Sequence, residues 1–219
     1  MRSKKLPSDI KGIIFDIDGT LVDSLDAWAE SDKIFLEENN VTYSKDISEK
    51  LKTMHYISAA EYFINELHIP MTLEQVCRRI DEIIGEKYRH EINAKQGVKE
   101  FIEECSRRGT AMCAATSNLR GLAEAVLESC GLSEFMRFIL TSDEVGSGKD
   151  DPEIFLRCAE MLGTSPECTA VFEDSCHAAE SAASAGFFTV GVYDSHYAAE
   201  YSRLEEICRI SVRDMRELI

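Results

Sequence analysis

Apolar positions along the chain follow two rhythms. Gly12-Ile13-Ile14-Phe15 is an unbroken apolar run closed by Asp16, the pattern of a strand buried on both faces. From residue 24 to about residue 95 the spacing turns helical, with Trp28, Ile34 and Phe35 on one stripe, Ala59, Ala60, Phe63, Ile64 and Leu67 on a second, and Val76, Ile80, Ile83 and Ile84 on a third. Pro70 and Gly85 are the punctuation in this stretch, which predicts an all-helical insertion of about four helices.

From Gly97 onward helices and strands alternate. Val98, Phe101, Ile102 and Cys105 recur at helical spacing up to Gly109; Thr110–Ala115 then forms an apolar strand ending at Thr116. Leu122, Ala123, Val126, Leu127 and Cys130 mark the next helix, and Phe138–Thr141 a third strand. Asp151-Pro152 opens a helix running to Gly163, Ala170-Val171-Phe172 is a fourth strand ending at Glu173-Asp174, and an alanine-rich helix from Ser175 to Gly186 leads to a fifth strand, Phe188–Val192. Strands alternating with helices predict an α/β fold, a parallel sheet covered on both faces.

The 219 residues suffice for a sizeable core, and 44% hydrophobic with 29% charged residues excludes a wholly disordered chain. Against 40 acidic residues stand 24 basic ones, a net charge of −16, which disfavours nucleic acid or an anionic membrane as the main partner. An anionic ligand then has to be captured locally. The eight cysteines form no C-x-x-C pair, and behind Met1-Arg2-Ser3-Lys4-Lys5 there is no signal-type apolar segment, so the expectation is a cytoplasmic protein with free thiols.

In parallel α/β sheets, ligands bind beyond the carboxyl ends of the strands. Those ends carry Asp16 with Asp18-Gly19-Thr20, then Thr116-Ser117-Asn118, then Glu173-Asp174-Ser175, while Lys149 lies in the loop after the third strand. Carboxylates beside a lysine suit Mg²⁺ and a phosphoryl group, because magnesium takes hard oxygen ligands and shields an anionic nucleophile from an anionic phosphorus centre. Asp16 can then accept the phosphoryl group, and Asp18 can protonate the leaving oxygen and later activate water. Gly19 permits a tight turn close to the phosphate, and Thr116-Ser117-Asn118 can both cap the next helix and expose N–H groups to an anion.

Asp16-Ile17-Asp18-Gly19-Thr20-Leu21-Val22-Asp23-Ser24 resembles the first motif of the haloacid dehalogenase superfamily. Thr116 resembles the second, Lys149 with Pro152-Glu153-Ile154-Phe155 the third, and Val171-Phe172-Glu173-Asp174-Ser175 the fourth. The helical insertion resembles the type 1 cap of phosphoglycolate phosphatases and β-phosphoglucomutases. The resemblance implies a Rossmann-like sheet of order 3-2-1-4-5, a core of residues 1–23 and 96–219, and a cap of residues 24–95 inserted after the first strand. It also implies Asp16 as nucleophile and Mg²⁺ ligand, and Asp18 as acid/base lending its main-chain carbonyl to the metal. Asp174 would be a metal ligand, Glu173 a direct or water-mediated one, and Gly19, Thr116, Ser117, Asn118 and Lys149 would bind phosphate.

Two departures stand out. Asp150-Asp151 follows Lys149 where the family commonly has proline, so these carboxylates tune the lysine or cap the next helix. Leu51-Lys52-Thr53-Met54-His55-Tyr56 lacks the glycine and arginine of the sugar-phosphate mutase cap loop. The leading expectation is therefore a phosphatase of a small phosphorylated metabolite, acting as a monomer or weak homodimer, with the cap as a mobile lid that selects substrate. The alternatives are a phosphohexomutase, a phosphoacceptor signalling module and a non-catalytic phosphometabolite-binding protein.

Overall fold

The computed structural model describes residues 4–51, 54 and 56–219; Lys52, Thr53 and His55 of the stretch compared with the mutase loop lie outside them. The chain divides into two compact units, Met1–Ser24 with Ile92–Ile219, and Leu25–Glu91.

The first unit is built on a parallel sheet. Its strands are Gly12–Phe15 (β1), Ala111–Thr116 (β2), Ile139–Thr141 (β3), Thr169–Glu173 (β4), Phe188–Val192 (β5) and Ile210–Val212 (β6). They lie in the order β3-β2-β1-β4-β5-β6. The sixth strand extends the five expected. It is three residues long, and Ser211 interrupts its apolar character, so it carries no readable period.

Helices Val98–Arg107 (α5), Arg120–Ser129 (α6), Glu153–Leu162 (α8), Cys176–Ser184 (α9) and Tyr201–Ile207 (α10) connect or flank the strands, with a single turn, Ser142–Val145 (α7), after β3. On one face Ile14, Cys113, Ala115 and Val171 pack with Ile154, Phe155, Cys158 and Leu162 of α8 and with Ala178 and Ala182 of α9. The alanines leave room for that helix to lie close to the sheet.

On β1 the next residue, Phe15, contributes to an aromatic group. Its ring lies 4.9 Å from Phe172 and 6.3 Å from Phe101 of α5, with Phe101 and Phe172 5.3 Å apart. Phe101 is buried and remote in sequence from the strand ends. Phe101→Ala is expected to destabilise the protein by about 3–5 kcal/mol, read from urea unfolding. A cost below about 1 kcal/mol would deny this trio its place in the core.

The second unit consists of Leu25–Glu38 (α1), Lys45–Leu51 (α2), Tyr56–Asn65 (α3) and Leu73–His90 (α4). Its core gathers Phe35, Leu36, Phe63, Ile69, Val76 and Ile80, and Thr72 with Gln75 forms a capping box on α4. Several of its basic residues pair within the unit: Lys33 with Glu37, Arg78 with Glu74, Arg79 with Glu38 and Glu82, and Lys87 with Glu30 and Glu91. All eight cysteines are free thiols. Among the described residues no helix is long and apolar enough to cross a membrane.

Candidate active site

The sheet order places β1 centrally. The chain runs outward from β1 through β2 to β3 and then returns to β4 on the other side of β1, so the β1–β4 boundary is the switch point where helices part. Asp16 emerges there, its N–H donating to Phe172 O at 3.0 Å. The chain then turns sharply: Ile17 O accepts from the N–H groups of Thr20, Leu21 and Val22 at 3.3, 2.9 and 3.0 Å, and Gly19 adopts φ +86°, which a side chain would disfavour.

Four charged side chains from distant positions meet at this point, all buried. Lys149 Nζ donates to Asp16 Oδ1 and to Glu173 Oε1, the latter at 2.7 Å. Thr20 Oγ1 donates to Asp174 Oδ1 at 3.3 Å, and Ser175 Oγ to Glu173 Oε2 at 3.1 Å. One carboxylate oxygen each from Asp16, Glu173 and Asp174 falls within 4.8 Å of the others. Asp16 Oδ2 and Asp174 Oδ2 are buried with no hydrogen-bond donor among the described residues.

The electrostatics follow from that crowding. Burial pushes Asp16 up to about 7 from 3.8, assisted by the negative charges of Glu173 and Asp18, although the Lys149 ammonium pulls the other way. Burial, then Asp16 and Glu173, raise Asp174 well above the carboxylate range against the opposing charge of Lys95. Burial disfavours the Lys149 ammonium, but Asp16 and Glu173 outweigh it and hold the lysine charged. On the loop after β5, burial pushes the Tyr197 phenol up to about 12, with Asp174 and Asp16 acting in the same direction.

Asp18 stands beside this cluster, bonded through its own carboxylate. Ser24 Oγ donates to its Oδ1 at 2.6 Å and Asn118 Nδ2 to its Oδ2 at 3.0 Å. Asn118 N–H donates to Thr116 Oγ1 at 2.9 Å, and Asn118 Oδ1 accepts from Leu119 N–H at 2.7 Å. These short-range bonds make Leu119 the N-cap of α6, without a side-chain cap bond, in place of the Thr116–Asn118 cap expected. Ser117 is exposed, its hydroxyl 3.2 Å from Ser142 Oγ. Gly19 N–H donates to Val22 O and its carbonyl accepts from Lys95, so Gly19 contributes the turn and offers no N–H to a ligand.

The carboxylates after Lys149 also resolve. Asp151 Oδ1 accepts from Glu153 N–H at 2.9 Å at the start of α8, where Pro152 is the N-cap, and Asp150 is exposed. The charge of Lys149 is set by Asp16 and Glu173 and not by these two neighbours. Sequence reasoning does not assign Thr20, Ser24, Ser175, Lys95 or Asp194. Thr20 and Ser24 lie within the first motif, whereas Lys95 and Asp194 carry no local signal.

A sequence profile of the haloacid dehalogenase-like hydrolases matches residues 13–192. The chain belongs to this family. Among haloacid dehalogenase-like relatives, it is 28% identical over 177 residues to a phosphorylated carbohydrates phosphatase of Thermotoga maritima, covering 81% of this chain and 82% of the other. It is 25% identical over 181 residues to a fructose-1-phosphate phosphatase of Escherichia coli, covering 83% and 95%. A solved Thermotoga maritima structure provisionally described as a β-phosphoglucomutase superposes with a TM-score of 0.82 at 27% identity, covering 95% of this chain and 97% of that one. As a haloacid dehalogenase-like hydrolase, the chain is an enzyme, with the parallel sheet typical of the family.

Proposed function

We propose that this chain is a Mg²⁺-dependent phosphatase of small phosphorylated sugars or related metabolites, working through an aspartyl-phosphate on Asp16. The observation that carries the reading is the buried union of Asp16, Glu173 and Asp174 with Lys149 at the switch point. The names of the relatives support a phosphomonoester substrate, and two of those names specify carbohydrate phosphates.

The donor set fits magnesium: it is all oxygen, and two buried carboxylate oxygens lack donors among the described residues. Asp16, Asp174 and the main-chain carbonyl of Asp18 would hold the ion, with Glu173 acting directly or through water. When bound, it neutralises the carboxylates and polarises phosphoryl oxygens as a Lewis acid.

The chain's own residues then divide the work. An Asp16 carboxylate oxygen forms a bond to phosphorus as the ester bond breaks, and Asp18 gives its proton to the leaving oxygen. Water next attacks the phosphorus, Asp18 accepts the water's proton, and the bond to Asp16 breaks to release phosphate. Ser24 and Asn118 hold the Asp18 carboxyl in orientation. Lys149, charged and anchored to Glu173, meets the phosphoryl oxygens, with Thr116, Ser117 and Asn118 on the neighbouring loop. Substrate choice is assigned to the helical unit Leu25–Glu91 as a cap.

Phosphatase and mutase share the first step and differ in what takes the phosphoryl group from Asp16. Incubation with glucose 1-phosphate and Mg²⁺ is expected to release phosphate with no glucose 6-phosphate, followed by enzymatic assay of both products. Accumulation of glucose 6-phosphate would replace this reading with a mutase. A panel of sugar phosphates, nucleotides and phosphoglycolate tests the substrate class.

A further inference from the structure

Lys95 is the first lysine after the helical unit, and it makes an unusual set of bonds. Its Nζ donates to Gly19 O at 2.6 Å, Tyr193 O at 2.8 Å and Asp194 Oδ2 at 2.7 Å. Three donors on one ammonium thus meet three acceptors, two of them main-chain carbonyls from separate loops. Asp194 is itself buried, its other carboxylate oxygen accepting from His196 N–H at 2.8 Å. The side chains of Lys95 and Asp194 are 15% and 3% exposed, so water competes little for these bonds.

We propose that Lys95, paired with Asp194, is a positioning residue for the Mg²⁺ site: it locks the turn after Asp16 to the loop after β5 and thereby sets Asp174 through Thr20. The inference rests on the phosphatase reading above. The chain of contacts is continuous. Gly19 O belongs to the peptide unit that supplies Thr20 N–H, so fixing that carbonyl fixes where Thr20 begins. The Thr20 hydroxyl then donates to Asp174 Oδ1, leaving Oδ2 without a donor among the described residues. Without Lys95, Gly19 O and Tyr193 O would lose their shared partner, and the peptide between Gly19 and Thr20 would be held only at its other end, by the 3.3 Å bond from Thr20 N–H to Ile17 O. Groups that orient metal ligands commonly change metal affinity or activity about 10–100-fold when removed.

A purely electrostatic role makes the opposite prediction. Removing a cation beside a carboxylate cluster strengthens its attraction for Mg²⁺, whereas removing a positioning contact weakens it. Lys95 already faces the Asp194 carboxylate at 2.7 Å, so the net charge of the pair is near zero and orientation dominates.

The test uses the full-length protein and Mg²⁺ alone, titrated by calorimetry without substrate. Lys95→Met by itself leaves Asp194 buried and unpaired, so the informative variant is Lys95→Met with Asp194→Asn, which removes both charges together. Its Mg²⁺ dissociation constant is expected to rise about tenfold and kcat to fall about 10–100-fold, with KM changed less than about threefold. Lys95→Arg folds with the charge retained but cannot aim three donors from one nitrogen, and is expected to fall between the wild type and the double variant. Wild-type Mg²⁺ affinity and kcat in the folded variants, with only a lower Tm, would make Lys95 merely structural and overturn the proposal, as would tighter Mg²⁺ binding. If the double variant does not fold, Lys95→Arg decides by the same two readouts. Absence of Mg²⁺ binding to the wild type would instead remove the phosphatase reading itself.

Discussion

Asp16→Asn is expected to lose at least about 10⁴-fold in kcat while keeping its fold. Phosphate-monoester hydrolysis is among the slowest uncatalysed reactions, with enzymatic accelerations reaching ~10²¹, so an enzyme deprived of its nucleophile has little to fall back on. An amide oxygen cannot form the acyl-phosphate that the reaction needs. The fold should survive because asparagine matches aspartate in shape, its carbonyl can still accept from Lys149, and its amide can donate toward the neighbouring carboxylates. It also removes a charge whose burial is the largest cost at this position, which offsets part of the lost attraction to Lys149. Phosphate release under saturating substrate and Mg²⁺, with circular dichroism and Tm as fold controls, measures both halves. Acid-quenched wild type should carry a phosphoryl group that the variant lacks. A variant retaining a tenth of wild-type kcat would remove Asp16 from the chemistry.

Withdrawal of Mg²⁺ is the second large effect. Excess EDTA is expected to reduce turnover to background, and Asp174→Ala to raise the Mg²⁺ concentration for half-maximal rate by at least about tenfold. Asp16 and Asp174 both take up protons more readily than ordinary carboxylates when no cation is present, because burial raises both and the Glu173 charge adds to it. The sign follows from linkage. A carboxyl whose folded-state value is raised binds more protons folded than unfolded, so its contribution to stability is present at low pH. That contribution is lost as pH climbs from near 3.8 through about 7 for Asp16. Mg²⁺ competes with those protons for the same oxygens. Its stabilising increment in Tm should therefore be larger at pH 8 than at pH 5.5, by differential scanning calorimetry at fixed Mg²⁺. An equal increment at both values, or full activity in EDTA, would place the metal elsewhere or dispense with it.

The local chemistry of each chain segment is legible in the residues themselves. A strand buried on both faces needs apolar residues throughout, and a strand that stops at the sheet edge needs a polar residue to meet solvent or ligand. Gly12–Asp16, Ala111–Thr116 and Thr169–Asp174 show that change from apolar to polar directly, which is why Asp16, Thr116, Glu173 and Asp174 stand out together. The helical stripes of the second unit are equally visible, since an amphipathic helix repeats its buried face every three to four residues. Lys149 stands out only because it follows Gly146-Ser147-Gly148 and completes an ordered set of motifs.

Tertiary structure decides the pairings. Whether Lys149 approaches Asp16 and Glu173, or Asn118 approaches Asp18, depends on β1 lying between β2 and β4, a sheet order that the family resemblance implies but that no single segment's own pattern encodes. The strand β6 escapes a reading by periodicity because three residues hold no period, and Leu119 becomes the α6 cap because Thr116 and Asn118 turn their side chains to nearby N–H groups. Lys95 and Asp194 sit 99 positions apart with nothing in their surroundings to mark them. Sequence alone thus determined the five longer-patterned strands β1 to β5, the helices between them and which carboxylates close the strands, because burial acts on each residue where it stands. The hydrogen bonds that orient those carboxylates arise between residues far apart in the chain, and only the folded arrangement of strands and loops selects them.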